Sequence, residues 1–257
     1  MNIVVCLKQT FDTEAKIVLD SNGRIDSNGV NLVINPYDEY AVEEALKLKE
    51  KFGGEVTLVS MGSERVQESI RTALAMGCDK GILVNDPSIE NPDEWATSEI
   101  LAKAVSQIPY DIILAGRIAV DDGSSQVAIR LADALNIPSV SSILKLEIED
   151  NKGTVTREID GGTELIEVGL PAVLTAQKGL NEPRYPSMMG IMKAKKKEIK
   201  VLTLADLGMS AADLPRKMSI PKFSLPNART AGKKISGEAA EAAQELARLL
   251  REEAKVI

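Results

Sequence analysis

Residues 56–84 read V-T-L-V-S-M-G-S-E-R-V-Q-E-S-I-R-T-A-L-A-M-G-C-D-K-G-I-L-V. This stretch decides the fold class. Val56 to Ser60 is a short apolar run that closes on Met61-Gly62, as a buried strand does. Ser63 stands where a helix N-cap is expected, helix residues follow from Glu64 to Met76, and Gly77 is a stop signal. A second apolar run, Gly81 to Val84, follows at once. Strand, helix and strand in that order predict two parallel strands joined by a right-handed crossover.

The same rhythm extends in both directions. Upstream, Ile3 to Leu7 reads as a strand buried on both faces and Lys8 to Ala15 as a loop. Lys16–Leu19 and Val30–Ile34 read as strands of a hairpin excursion, punctuated by Ser-Asn-Gly at 21–23 and 27–29. Asn35 is placed as an N-cap, Pro36 as the first helical residue, and Asp38 and Glu39 at the positive end of the dipole. Tyr37, Ala41, Val42, Ala45, Leu46 and Leu48 then form a helical stripe ending near Gly53. Downstream, a helix is expected over Trp95–Gln107, a strand over Ile112–Ala115 closing on Gly116, and a helix over Gly123–Leu135. From Ser139 the pattern changes. Leu144–Ile148, Thr154–Ile159 and Leu165–Val168 alternate apolar and polar residues, as antiparallel strands do, and Val173–Ala176 reads as a return to the main sheet. The expected fold is α/β, a mostly parallel sheet with helices on both faces and a small antiparallel excursion. Residues 1–207 form that domain. Residues 208–257 form a proline-punctuated linker and C-terminal arm with a helix over Gly237–Glu253.

Composition narrows the function. The chain has 257 residues and 44% apolar residues, enough for a sizeable core, but only 3% aromatics, so Val, Ile, Leu and Ala must build it. A net charge of −7 argues against nucleic-acid binding. There is no histidine, which removes the Ser-His-Asp and Cys-His nucleophile systems and the usual imidazole metal sites. The two cysteines, Cys6 and Cys78, support neither a disulfide framework nor a zinc pattern. No catalytic or metal residue is assigned. The start of the chain lacks signal-peptide character and no apolar run suits a bilayer, so a cytoplasmic protein without membrane insertion is expected.

In open parallel sheets, ligands sit beyond the carboxyl ends of the strands. Cys6, Met61 and Gly116 all end strands; Asn35 to Asp38 and Asp122-Gly123-Ser124-Ser125-Gln126-Val127 all enter helices. Helix entries with glycine and hydroxyl donors suit a phosphate, or else are simply turns with a serine cap. Neither a dinucleotide glycine fingerprint nor a triphosphate loop is present.

The segment 179–197 follows the last strand-like run. Pro183 and Pro186 bracket Arg184 and Tyr185, and Met188, Met189, Ile191 and Met192 precede a run of lysines that starts at Lys193. Proline excludes a central strand, so a loop is expected. Its apolar residues either fold back on the core or are offered to a partner.

These residues carry a resemblance. R-E-I-D-G-G (Arg157–Gly162), L-N-E-P-R-Y…I-M-K-A-K-K-K (Leu180–Lys197), N-P-Y-D-E-Y-A-V-E-E-A-L (Asn35–Leu46) and I-R-T-A-L-A-M-G (Ile70–Gly77) resemble the β subunit of electron transfer flavoproteins, from Asn2 to about Leu207. The resemblance implies a Rossmann-like, adenine-nucleotide-binding fold and an electron carrier without turnover of its own. It implies a heterodimer with an α subunit that holds the FAD. It implies electron transfer from flavin dehydrogenases, such as the acyl-CoA dehydrogenases of fatty acid oxidation, to a quinone-linked oxidoreductase. It implies a structural AMP bound by Cys6, Asn35, Pro36, Tyr37, Asp38, Met61, Gly116, Asp122, Gly123, Ser124, Ser125, Gln126 and Val127. Partner binding falls to Met188 as the anchor, to Glu158 against the flavin domain, and to Leu180, Arg184, Tyr185 and Lys193. The C-terminal arm is expected to dock on the α subunit. Ser125-Gln126-Val127-Ala128 stands where related chains often have Asn-Gln-Thr-Gly, which bears on side-chain contacts more than backbone ones. It leaves as an alternative the electron-bifurcating branch, with a second FAD in place of AMP. A free-standing adenine-nucleotide-binding protein is the further alternative.

Overall fold

Strand β1 (Asn2–Cys6) shows how the core is divided. Ile3 and Val5 join one hydrophobic cluster, Val4 and Cys6 the other, as alternating side-chain directions require. This is a computed structural model, and it describes residues 1–229 and 231–257.

After β1 come β2 (Gln9–Phe11), β3 (Leu32–Ile34), α1 (Pro36–Phe52), β4 (Glu55–Met61), α2 (Val66–Met76), β5 (Lys80–Val84), α3 (Glu94–Val105) and β6 (Ile112–Gly116). Then follow α4 (Val127–Ala134), β7 (Ser139–Glu149), β8 (Lys152–Ile159), β9 (Gly162–Gly169), β10 (Val173–Ala176), α5 (Met188–Ala194), β11 (Ile199–Leu202) and α6 (Ala239–Glu252). Nine strands form one sheet in the order β11-β5-β4-β1-β6-β10-β7-β8-β9. Neighbours are parallel from β11 through β7, and β8 and β9 complete the sheet antiparallel. Helices α1 and α2 supply Ala41, Val42, Ile70 and Leu74 to the first cluster; α3 and α4 supply Ile100, Ala104 and Leu131 to the second. Helices therefore cover both faces, as expected. Each fully buried Leu or Ile contributes roughly 1.5–3 kcal/mol, which outweighs the modest helix propensity of the β-branched residues among them.

The expected hairpin is shifted. Gln9–Phe11, expected as loop, pairs antiparallel with Leu32–Ile34, whereas Lys16–Leu19 forms no strand. Between them the polar residues satisfy the backbone locally. Asp20 Oδ1 accepts from the N–H groups of Asn22 and Arg24, both at 2.8 Å, and Asp26 Oδ1 accepts from that of Asn28 at 2.9 Å. Such side-chain turns compete with a ladder. Strand β11 is the other surprise. Its four residues lie directly behind the lysine run and add a parallel edge beside β5.

Two compact units are present. The first comprises Met1–Lys16 and Asp26–Pro221. It continues past Leu207 because Arg216 donates to the carbonyls of Glu90 and Asn91, and the N–H groups of Lys217 and Met218 donate to Asp93. The second comprises Ile17–Ile25 and Lys222–Ile257. Within it, α6 carries Arg248 paired with Glu245 and Glu252, each at 2.8 Å. Leu246 and the terminal Val256 and Ile257 are exposed.

Candidate nucleotide crevice and docking segment

Strands β4, β1 and β6 are adjacent, so their carboxyl ends at Met61, Cys6 and Gly116 lie side by side. The buried Asp38, in the first turn of α1, ties two of them together. Its Oδ2 accepts the backbone N–H of Lys8 at 2.7 Å and its Oδ1 that of Gly116 at 2.8 Å. Burial pushes the Asp38 carboxyl up to about 6, against the pull of those two N–H groups. Gly116 is required by close approach. A Cβ there would stand 2.4 Å from Asp38 Oδ1 and 2.7 Å from Tyr37 Cβ.

Asn35 makes no side-chain cap on α1. Its side chain crosses to the segment after β6 instead: Nδ2 donates to the Ile118 carbonyl at 2.9 Å and Oδ1 accepts from the Val120 N–H at 3.2 Å. Lys8 Nζ holds the next residues, with Asp121 at 2.8 Å and Asp122 at 2.7 Å. The expected helix from Gly123 begins only at Val127. Gly123 (φ 67°) and Ser125 (φ 54°) are both left-handed, and Asp122 Oδ1 accepts the Ser124 N–H at 2.9 Å, so residues 123–126 are an irregular segment ahead of α4. Gln126 is spent on Arg130, at 2.9 and 3.0 Å, and Val127 packs on the second cluster. Likewise Ser63 makes no cap, because α2 starts at Val66.

The segment after β6 therefore combines hydroxyls, one ammonium and two carboxylates. Ser125 is exposed and Ser124 half-exposed, and Lys8 bridges the carboxylates of Asp121 and Asp122, offsetting one of their two negative charges. Arg117, next to Gly116, lies over the Tyr37 ring at 5.6 Å, and its buried Nε–H has no partner among the described residues. An unpaired buried donor beside this segment suits an acceptor-rich ligand such as an adenylate. Cys6 is buried, and burial, with the Asp38 charge, pushes its thiol up to about 12, away from the thiolate form that nucleophilic attack needs. No group of three His, Cys, Asp or Glu residues able to hold a metal occurs among the described residues.

The segment 179–197 is not wholly a loop. Ser187 caps α5, its Oγ accepting the Gly190 N–H at 3.0 Å. Gly190 lets α5 press against α2: a Cβ there would stand 2.2 Å from the Ala75 carbonyl oxygen. Arg71 of α2 donates to the carbonyls of Ala194 and Lys197, closing the far end. Tyr185 (94% exposed), Met188 (79%), Met189 and Met192 face solvent, as does Lys193. Leu180 and Arg184 are half-buried. Leu180 packs on the first cluster, and Arg184 is bound to Glu43 and Glu50 of α1. Glu158 is exposed on β8, one strand from the edge opposite β11. Helix α5 instead rests on α2, beside β4 and β5, so Glu158 and Met188 are not brought together.

A family model for the electron transfer flavoprotein domain matches residues 23–207. The chain belongs to the electron transfer flavoprotein family, as a β subunit. It is 48% identical to the electron transfer flavoprotein subunit beta of Bacillus subtilis, over 100% of both chains. It is 49% identical to that of Syntrophomonas wolfei, over 100% of this chain and 98% of the relative, and 41% identical to the human protein, over 91% and 92%. An electron-transport flavoprotein β subunit implies an α subunit as partner and a flavin in the assembly. No helix among the described residues is long and apolar enough to cross a membrane. Glu43, Glu44, Asn181 and Arg117 are structural or site residues that sequence reading did not single out. The signal for Glu43 and Glu44 is an acidic pair set between apolar residues of α1; Asn181 and Arg117 have no such local signal.

Proposed function

We propose that this β subunit, in the cytoplasm, pairs with an α subunit and relays electrons from flavin dehydrogenases, such as acyl-CoA dehydrogenases, to a quinone-linked acceptor. The observation that carries this reading is the set of exposed methionines on α5, an apolar surface held in place by α2 and offered outward. Unbranched thioethers repack easily, which suits a surface that meets more than one dehydrogenase. Met188, the most exposed of the four exposed apolar residues on α5, is the anchor.

The crevice holds AMP. Gly116 and Asp38 set the spacing of the strand ends, the segment Gly123–Gln126 offers backbone and hydroxyl donors, and Arg117 supplies an unpaired N–H. FAD, held with the α subunit, supplies the redox chemistry. Residues 208–257 dock on that subunit through their exposed apolar side chains, with Leu246, Val256 and Ile257 among them. Glu158 makes a charged contact with the flavin domain. An exposed ion pair is worth only about 0–1 kcal/mol, so it releases the domain readily.

Two measurements test the reading. Met188→Ala in the heterodimer should weaken reduction by an acyl-CoA dehydrogenase and leave the visible flavin spectrum intact; an unchanged rate rejects the anchor role. Extraction of nucleotide from the purified heterodimer should return AMP and FAD in equal amounts. Two FAD and no AMP would establish the electron-bifurcating alternative instead.

A further inference from the structure

The chain just before the methionine face is fastened with unusual thoroughness. Glu43, in the middle of α1, has a side chain only 5% exposed. Its Oε2 accepts Arg184 Nε at 2.8 Å and the Arg184 backbone N–H at 3.1 Å, and its Oε1 accepts Nη2 at 2.9 Å. Glu50, two turns further along the same face of α1, accepts Nη1 at 2.6 Å. The carboxylates hold the guanidinium firmly protonated. Three residues earlier, Asn181 Nδ2 donates to the Tyr40 carbonyl at 3.0 Å and to Glu44 Oε2 at 2.9 Å. Arg184 is thus the last fixed point before Tyr185, and Gly190, seated on Ala75, is the next.

We infer that Arg184, gripped by the buried Glu43, is a positioning residue for dehydrogenase docking: it presents the methionine face of α5 preformed to the partner. The inference rests on the docking reading above. The chemistry explains the residue choice. A planar guanidinium can meet a carboxylate side-on with two parallel hydrogen bonds and still reach a second carboxylate, which a lysine ammonium cannot do in one geometry. A preformed surface avoids the entropy of ordering on binding. Without the fork, residues 185–189 must be ordered by the partner instead.

The test uses the α/β heterodimer as acceptor substrate of an acyl-CoA dehydrogenase. Arg184→Ala should raise the KM for the heterodimer about tenfold, which corresponds to the backbone entropy of roughly one residue. kcat and the flavin spectrum should stay at wild-type values. Arg184→Lys should rescue only partly, because the charge returns without the fork. A rise in KM for Met188→Ala with wild-type KM in both Arg184 variants overturns the inference alone. Wild-type KM in Met188→Ala overturns the docking reading itself. Full rescue by lysine reduces Arg184 to a surface charge and also overturns the inference. If the Arg184 variants fail to assemble, hydrogen exchange on the wild-type heterodimer decides. The Gly190 and Ile191 amides, bonded to Ser187 Oγ and to its carbonyl, should be protected before any dehydrogenase is added. Exchange at open-chain rates there overturns the inference.

Discussion

Replacing Gly116 by alanine tests the architecture of the crevice most directly. The added Cβ would lie 2.4 Å from Asp38 Oδ1, 2.7 Å from Tyr37 Cβ and 2.8 Å from the Asp38 backbone nitrogen. Two of these are backbone or Cβ atoms of the first turn of α1, so a rotamer change cannot relieve the overlap. Either α1 moves away from β6, or the Asp38 carboxylate turns and loses the Gly116 N–H at 2.8 Å. Overpacking alone costs about 1–3 kcal/mol. A lost hydrogen bond to a buried charge adds about 1.5–3 kcal/mol, and the two overlap, so a total near 3 kcal/mol is expected. For a domain of this size that lowers Tm by about 6–12 °C. Gly123→Ala is the control. Nothing lies within 4 Å of its Cβ, and only the left-handed φ of 67° opposes it, so about 1–2 kcal/mol is expected. Thermal melts of the heterodimer, with nucleotide extracted from each sample, supply both readouts. Gly116→Ala should also lose AMP. A Gly116→Ala heterodimer that melts with the wild type and keeps its AMP would refute the claim that close approach at β6 sets the crevice.

Three further outcomes are expected. The Asp38 carboxyl stands at about 6 in the folded chain against 3.8 unfolded, so the native state binds a proton more readily. Its stabilising contribution is complete below 3.8 and is lost as pH rises through about 6. The stability of wild type relative to Asp38→Asn should therefore fall between pH 4 and 7 and then level off; a pH-independent difference counts against the buried placement. Asn35→Ala should cost about 1–3 kcal/mol by leaving the Ile118 carbonyl and Val120 N–H unpaired, and should lower AMP affinity, measured by calorimetry on nucleotide-stripped heterodimer. Cys6 and Cys78, both buried with thiols pushed up to about 12, should resist an aromatic disulfide reagent until the chain is unfolded; labelling at native-state rates would contradict their placement.

Local pattern alone was enough for most of the parallel part of the sheet, the edge strand β11 excepted. Residues 56–84 carry strand, helix and strand with their punctuation, and the ends fall within a few residues of those expected. The absence of histidine and of a triphosphate loop likewise excluded whole classes of chemistry before any contact was known. Three features needed the tertiary structure, each because its cause is a partner distant in sequence. Gln9–Phe11 became a strand because Leu32–Ile34 lies beside it. Asn35 left its cap for Ile118 and Val120, a choice the helix signal could not reveal. Arg184 and Glu43 are 141 residues apart in sequence, so nothing local distinguishes that buried grip from a solvated charge on a loop. Periodicity records which face of an element is buried; which polar side chain meets which is set only when the chain has closed on itself.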